Sequence, residues 1–433
     1  MTAQVLIAVA SVIALFALAA IIRKIAERFV IGAESQRKVV HVGVGVHAMV
    51  LPLLLTREGF LVFAGLAAAA LLVLRIPGIA SEGIGASLHS VERRSWGDFL
   101  FLVAVTVLFV LSPGHPALYI LPIAVLTLSD AAAALVGTEY GRLRFGDGDR
   151  VKSVEGSVAF FVVTWITAVV IMQLATEIPR PNVILLATLV SVFATYVEAD
   201  SWRGLDNLFV PVGIFVLLST WAQSAPVVLT ALTVGWLVLL LLARLSASHL
   251  GMTPHAARSA AVALFLSAIV ASPINSVMPV LAFAAALLAR STEGDTESIL
   301  DFVATLIMTG VAWLVIGNVF GVNAIAFYAA SFVGIGAGYA TFALRESRFR
   351  SPGSAAALAV FLLAYWLLLP GMIGFMNWVP QLPLFAVVAT VSTMVVLVEM
   401  LCPRTWQARP PGLRLAISAL VMLVPVYLYE VLS

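Results

Sequence analysis

The sequence predicts an all-α polytopic integral membrane protein with about sixteen transmembrane helices. Of its 433 residues, 62% are hydrophobic and only 11% are charged, and the mean hydropathy is +1.09. A soluble protein of this length would carry about twice this charged fraction. Because backbone polar groups in a bilayer must be satisfied within the chain, long apolar runs predict helices.

Sixteen apolar runs are candidate spans, although several of them are short. In chain order they are 2–22, 39–55, 58–76, 98–112, 116–137, 156–175, 181–198, 208–223, 226–243, 258–273, 275–290, 299–317, 322–343, 354–370, 382–401 and 413–431. The first run is followed by basic residues, whereas a cleaved signal peptide carries its positive charges before the apolar run. We therefore expect a retained first span.

Composition excludes several classes of function. The net charge is only +2, so a nucleic-acid partner is not indicated. Cys402 is the only cysteine, which excludes a disulfide framework and a cysteine-based metal site.

The lysines and arginines predict the orientation of the spans. If the N-terminus lies outside and the spans alternate, all 24 basic residues except Arg57 and Arg180 fall on the cytoplasmic side or at its border. This bias supports both the number of spans and their direction. It also predicts that every polar motif described below faces the cytoplasm, most simply across the plasma membrane of a prokaryote.

Polar chemistry is concentrated around the end of the fifth predicted span. Asp130 lies near the end of this span, Gly137 and Gly141 follow it, and Lys152 and Glu155 lie where the next span begins. A carboxylate in a membrane helix is costly and is usually functional. The glycines would allow a backbone or a phosphate to approach closely, and the lysine suits a phosphate. The alternative is an ordinary solvated loop.

Two motifs in this region resemble those of a known enzyme family. They are D-A-A-A-A-L-V-G-T-E-Y-G, which begins at Asp130, and K-S-V-E-G-S, which begins at Lys152. They resemble the CTP-dependent isoprenoid-alcohol kinases, the family of dolichol kinase and phytol kinase. They are more distantly similar to the phosphatidate cytidylyltransferases. The resemblance covers approximately residues 30–223.

The first predicted cytoplasmic loop carries a third motif, E-S-Q-R-K-V-V-H, at residues 34–41. On a helix, Lys38 and His41 would share one face. Anchoring at the membrane border explains the basic pair but not His41, which lies inside the span. The pattern is similar to the start of the isoprenoid-alcohol kinases and not to the cytidylyltransferases.

Two further motifs resemble the same kinase family. The segment V-E-R-R-S-W-G-D at residues 91–98 contains Arg94, which is either a site residue or a membrane anchor. The segment from Val197 to Pro211 places Glu198 at the end of one span and Asp206 at the start of the next. Helix capping is the alternative for Asp206. Asp200, between them, is expected to be solvated.

These residues predict a phosphoryl-transfer site with a bound cation. Carboxylates without cysteine or a histidine cluster suit Mg²⁺, and lysine and arginine suit phosphate. His41 or an acid would accept the proton of an alcohol. The expected catalytic residues are His41, Asp130, Lys152 and Glu155; the expected nucleotide-binding residues are Lys38, Arg94, Gly137, Gly141, Lys152, Ser153 and Gly156; and the expected Mg²⁺ ligands are Asp130, Glu155, Glu198 and Asp206.

The resemblance implies a kinase that transfers phosphate from CTP to a membrane isoprenoid alcohol, and the residues alone would not identify cytosine. No Walker loop is present, which argues against a P-loop kinase. The alternatives are a cytidylyltransferase that acts on a lipid phosphate and, with less support, a transporter. Residues 1–224 are expected to form the catalytic domain, and residues 225–433 an additional helical domain of unknown role.

Beyond residue 225 no motif identifies a function. The acidic loop at residues 293–297 is most simply solvated, and the basic run from Arg345 to Arg350 is most simply a membrane anchor or a contact with anionic lipids. The candidate roles of these spans are transport, a scaffold or a second lipid-enzyme module.

Labelling of single cysteines tests the predicted orientation. In a Cys402→Ser background, cysteines introduced at Asp147 and at Pro179 should react from opposite sides, because an odd number of spans separates the two positions. A membrane-impermeant thiol reagent should label position 179 in intact cells and position 147 only after lysis. Labelling of position 147 in intact cells would contradict the orientation.

Overall fold

The described part of the chain forms sixteen helices and one short hairpin. The computed structural model describes residues 2–29, 32–75, 96–146, 151–290, 295–373, 381–401 and 409–432. Within these residues each of the sixteen predicted spans coincides with a helix, so the all-α class is confirmed.

The helices are bounded as follows: α1 Thr2–Phe29, α2 Ala33–Leu54, α3 Arg57–Val73, α4 Gly97–Leu111, α5 Pro116–Glu139, α6 Val154–Ala175, α7 Arg180–Ala199, α8 Asp206–Trp221, α9 Pro226–Ser246, α10 Pro254–Val270, α11 Pro273–Leu288, α12 Thr296–Phe320, α13 Ile325–Ala343, α14 Arg350–Ile373, α15 Gln381–Leu401 and α16 Pro411–Leu432. Eleven of them are long and apolar enough to cross a membrane, and α4, α8, α10 and α11 are shorter apolar helices. Large apolar side chains such as Leu53 and Leu174 are exposed, as expected where a helix faces lipid.

The chain forms two compact units, Met1–Val234 and Gly235–Ser433, and the division falls inside α9. In the first unit α5 is the central helix and packs on α2, α6 and α8. In the second unit α13 is central and packs on α11, α14, α15 and α16. The sequence of α13 is rich in alanine and glycine, which lets neighbouring helices approach closely. The roles assigned to residues 1–224 and 225–433 stay predictions.

A two-stranded hairpin lies in the segment that the sequence predicts to be a polar loop. Strand β1 (Arg144–Phe145) pairs antiparallel with β2 (Lys152–Ser153), with Phe145 opposite Lys152. The amide of Val154 also donates to the carbonyl oxygen of Leu143 at 2.9 Å. Runs of two residues carry no alternating pattern of hydrophobicity, so periodicity could not have predicted these strands. The hairpin fixes the position of Lys152 beside the first turn of α6.

Close packing in the first unit depends on a glycine of α8. A Cβ atom on Gly213 would lie 2.2 Å from Cζ of Phe193, a buried ring of α7. We therefore expect Gly213→Ala to lower the free energy of unfolding by about 1–3 kcal/mol, because the ring must move in a well-packed core.

Gly65→Ala is the matched control, because a Cβ atom on Gly65 of α3 meets nothing within 4 Å. This change should stabilise the protein by about 0.5–1 kcal/mol through the lower flexibility of the unfolded chain. Both variants are compared by unfolding in detergent. Equal stability of the two variants would show that α7 and α8 do not pack as described.

Candidate active site

The polar side chains that the sequence singles out in the first unit lie at one end of its helices. Lys38 is near the start of α2 and Asp130 is in the last three turns of α5. Lys152 precedes α6, Glu198 ends α7, and Asp206 begins α8. The start of α2 lies beside the last turns of α5, and the start of α6 lies beside the end of α7.

Lys38 and Asp130 form a largely buried ion pair between α2 and α5. The ammonium group of Lys38 donates to Oδ1 of Asp130 at 2.7 Å and to Oδ2 at 2.6 Å. The two side chains are 11% and 17% exposed. Burying either charge alone would be costly, whereas the pair neutralises both. The carboxylate is therefore held in its ionised form beside a cation.

His41 lies one helical turn from Lys38 and faces the same carboxylate. Its Nε2 atom is 3.8 Å from Oδ2 of Asp130, which is too long for a hydrogen bond. This nitrogen is buried and has no hydrogen-bond partner among the described residues. The imidazole also contacts the ring of Phe101, with the ring centroids 5.7 Å apart. A buried nitrogen in this state is open to a hydroxyl group placed beside Asp130.

A second ion pair joins the hairpin to the end of α7. The ammonium group of Lys152 donates to Oε1 of Glu198 at 2.5 Å and also to the backbone carbonyl oxygen of Glu198. Burial lowers the pKa of Lys152, but the carboxylates of Glu198 and Asp206 outweigh burial, so the net shift is upward. Lys152 therefore stays protonated at neutral pH.

The turn between α7 and α8 holds Asp206 in place through Ser201. The hydroxyl group of Ser201 donates to Oδ1 of Asp206 at 2.8 Å and accepts from the backbone amide of Asp206 at 2.9 Å. Arg203 in the same turn has a φ of 55°, which is uncommon for a residue other than glycine. The expectation that Asp200 is solvated is wrong, because the fold buries Asp200 in this turn.

The three predicted glycines surround Ser153, where α5 and α6 approach closely. A Cβ atom on Gly141 would lie 2.3 Å from the carbonyl oxygen of Gly137, and one on Gly156 would lie 2.9 Å from the carbonyl oxygen of Ala133. Ser153 is the N-cap of α6, and its hydroxyl group accepts from the amide of Gly156 at 3.1 Å. Close backbone packing thus accounts for these positions, and their nucleotide-binding role stays a prediction.

Glu155 contacts the hairpin and not the other predicted acids. Both of its carboxylate oxygens lie 3.3 Å from the amide nitrogen of Leu143. Within the described ranges, no group of three or more histidine, cysteine or acidic residues lies close enough together to hold a metal ion. The four predicted Mg²⁺ ligands do not form a ready-made cage, and their role stays a prediction. Arg94 lies outside the described residues.

The sequence identified the charged residues but did not predict which of them pair. Lys38 and Asp130 are 92 residues apart, and Lys152 and Glu198 are 46 residues apart. Phe101 was not predicted as a site residue. Its ring lies in an apolar run in which nothing distinguishes it from neighbouring lipid-facing or core residues.

Removal of one partner tests the buried ion pair. Lys38→Met should lower the free energy of unfolding by about 3–5 kcal/mol, because it leaves the Asp130 carboxylate buried without a cation. The double variant Lys38→Met/Asp130→Asn should be more stable than the single variant. Unfolding of each purified variant in detergent gives the comparison.

The exposed pair of Arg23 and Glu27, with a 2.8 Å contact on α1, is the matched control. Arg23→Met should change the stability by no more than about 1 kcal/mol, because water screens exposed ion pairs. A Lys38→Met variant as stable as Arg23→Met would mean that the Lys38–Asp130 pair is not buried.

Comparison with known proteins identifies the family. A phytol kinase from Synechocystis sp. is 32% identical to this chain over 197 residues, which cover 44% of this chain and 80% of the relative. No family model and no solved structure matches the chain. The match covers less than half of this chain, so it bears on an isoprenoid-kinase unit and not on the whole protein. Through that unit, the chain belongs to the phytol kinase-like family of isoprenoid-alcohol kinases.

Proposed function

We propose that the first unit transfers the terminal phosphoryl group of CTP to the hydroxyl group of a membrane isoprenoid alcohol such as phytol, dolichol or a polyprenol. The observation that carries this proposal is the open Nε2 atom of His41 beside the Lys38–Asp130 ion pair. A hydroxyl acceptor needs a base at hydrogen-bond distance, and phosphate oxygens need cations. The base and the cations both lie within this one cluster of helix ends.

The two lysines supply positive charge for the phosphates. Phosphoryl transfer depends mainly on positioning and on stabilisation of negative charge. Lys38 and Lys152 are each held by a carboxylate, at 2.6 Å and 2.5 Å respectively. In the proposed complex each ammonium group donates one or more of its hydrogen bonds to the phosphates. Asp130 and Glu198 keep Lys38 and Lys152, respectively, in position.

The proton of the alcohol is proposed to pass to His41 or to Asp130. The oxygen of the alcohol forms a bond to the terminal phosphorus, the bond from this phosphorus to the bridging oxygen breaks, and CDP leaves. A neutral imidazole at Nε2 accepts the proton directly. Asp130 is the alternative base, because its carboxylate lies beside the same position, with Oδ2 3.8 Å from Nε2 of His41. A base in this position contributes about 10²–10⁴-fold to the rate.

Mg²⁺ is proposed to bind together with the nucleotide. This cation commonly uses only one or two protein carboxylates, and water and phosphate oxygens complete its shell. Asp206 is bonded to Ser201 and to no lysine, and it lies within electrostatic range of Glu198. These two residues would hold the cation, which would neutralise phosphate oxygens. Glu155 is the weaker candidate because it contacts the hairpin.

The site is proposed to face the cytoplasm of a prokaryote. This orientation follows from the distribution of lysine and arginine, and it gives the site access to soluble nucleotide. The long alcohol would lie among the helices with its hydroxyl group at the membrane border.

Identification of the nucleotide product tests the reaction. Purified full-length protein in detergent is incubated with phytol or polyprenol and with CTP or ATP that is radiolabelled at the γ-phosphate. Transfer of the label to the alcohol, with release of CDP, supports the proposal. Release of pyrophosphate on addition of a lipid phosphate would identify a cytidylyltransferase instead. Transfer from ATP but not from CTP would contradict the choice of donor.

Asp130→Asn tests the assignment of the site. The change keeps the size of the side chain and removes its charge. It therefore weakens the hold on Lys38 and alters the place beside His41 where the hydroxyl group of the alcohol would bind. We expect the turnover number to fall on the order of 10²-fold or more. Glu139→Gln is the control, because Glu139 is an exposed acid on the same helix. Wild-type turnover of Asp130→Asn would contradict the assignment.

A further inference from the structure

A second cluster of charged and polar residues, two of them deeply buried, lies in the second unit, outside the proposed kinase site. It is formed where α12, α14 and α16 begin and where α13 and α15 end. Its members are Asp301, Tyr339, Arg350, Glu399 and Arg414. Arg414 is only 1% exposed and Glu399 only 5% exposed. Charged residues this deeply buried in apolar helices are costly and are usually functional.

Arg414 has more hydrogen-bond donors than the described residues satisfy. Its NH2 nitrogen donates to Oε1 of Glu399 at 2.8 Å. Its Nε and NH1 nitrogens are buried and have no hydrogen-bond partner within the described part of the chain. The guanidinium group also lies over the ring of Phe342, with 5.6 Å between its central carbon and the ring centroid. Two nitrogens of a fully buried cation therefore have no acceptor among the residues that the structure describes.

Arg350 adds a further donor at the same place. Its NH2 nitrogen donates to the carbonyl oxygen of Met400 at 3.1 Å and lies 3.4 Å from that of Glu399, at the end of α15. Its Nε nitrogen is also buried without a partner in the described residues. Arg345 is exposed and lies within electrostatic range of Glu399, so it adds positive charge at this end of the helices.

The other acid of the cluster is already engaged. Oδ2 of Asp301 accepts from the backbone amide of Gly412 at 2.7 Å and from the hydroxyl group of Tyr339 at 3.2 Å. It thus caps the start of α16, which a side chain at position 412 would prevent, because a Cβ atom there would lie 2.8 Å from this same oxygen. Asp301 therefore positions α16, and with it Arg414.

An anionic ligand would satisfy the three free donors. A buried donor without a partner costs about 1–3 kcal/mol, and more when the group is charged. Guanidinium groups are always charged, and their planar array of donors matches phosphate oxygens. We propose that Arg414 and Arg350 bind a phosphate group at this end of the second unit. The group belongs either to a lipid headgroup with a terminal phosphate or to free phosphate.

The site is tested on the full-length protein in detergent. Thermal unfolding is followed with increasing inorganic phosphate, and separately with short-chain phosphatidic acid, with phosphatidylcholine as the lipid control. A ligand that binds the folded state raises the unfolding temperature. Inorganic phosphate and phosphatidic acid should both act if the site takes free phosphate. Phosphatidic acid alone should act if the site takes a lipid headgroup.

Two variants assign the effect to this cluster. Arg350→Gln removes a charged donor without depriving Glu399 of Arg414, and Arg414→Lys keeps the charge opposite Glu399 but removes the planar group. Each should weaken ligand binding about tenfold or more, which is the loss expected for a charged hydrogen bond. Arg348→Gln removes an equal charge from an exposed residue that contacts Phe349, so it should bind as the wild type does.

The outcomes separate the possibilities. Weaker binding in both variants, with wild-type binding in Arg348→Gln, supports the phosphate site. If Arg414→Lys does not fold, the comparison of Arg350→Gln with Arg348→Gln carries the test. No shift in the wild type with either phosphate ligand overturns the proposal, and so does equal binding in all variants. Since binding is measured without alcohol or nucleotide, the result does not depend on the kinase proposal.

Discussion

Moving a charged side chain out of water costs several kcal/mol, and this cost determines how the polar residues of this protein are arranged. In the described residues, three buried or largely buried acids of apolar helices are each opposed by a cation from another part of the chain. The pairs are Asp130 with Lys38, Glu198 with Lys152, and Glu399 with Arg414. Such a pair is a weak source of stability, because the attraction mainly offsets desolvation. Its specific effect is to fix which helix ends meet.

The pairs also explain how a membrane protein keeps phosphate-binding cations in an apolar setting. A lysine without a partner at this depth would tend to lose its proton, whereas Lys152 beside Glu198 stays protonated. The cation is therefore already charged and positioned before a substrate arrives, and this preorganisation is what phosphoryl transfer requires. Among the described residues, His41 differs from these paired groups because its buried Nε2 atom has no partner.

In both units buried charges must be paired, but the residues that form the pairs differ in chemistry. In the first unit lysines pair with acids beside a histidine, which suits the proposed transfer of a phosphoryl group to a hydroxyl. In the second unit, Arg350 and Arg414 have donors without a partner among the described residues, and the acids are engaged with Arg414 and with the start of α16. Arginine cannot be deprotonated in proteins and is a poor base, so this cluster suits binding and not proton transfer.

The sequence by itself determined the fold class and the position of nearly every helix, because a bilayer leaves no other structure for long apolar runs. It also identified Asp130 and His41 as unusual, since polar residues in such runs are costly. Only the tertiary structure decided which charges pair, that Asp200 is buried, and that two donor nitrogens of Arg414 have no partner among the described residues. These features depend on contacts between helices far apart in the chain, and the spacing of residues within one helix does not encode them. Small residues that allow close packing occur in every predicted span. Their presence therefore does not indicate which helices pack together, and only the folded structure shows this.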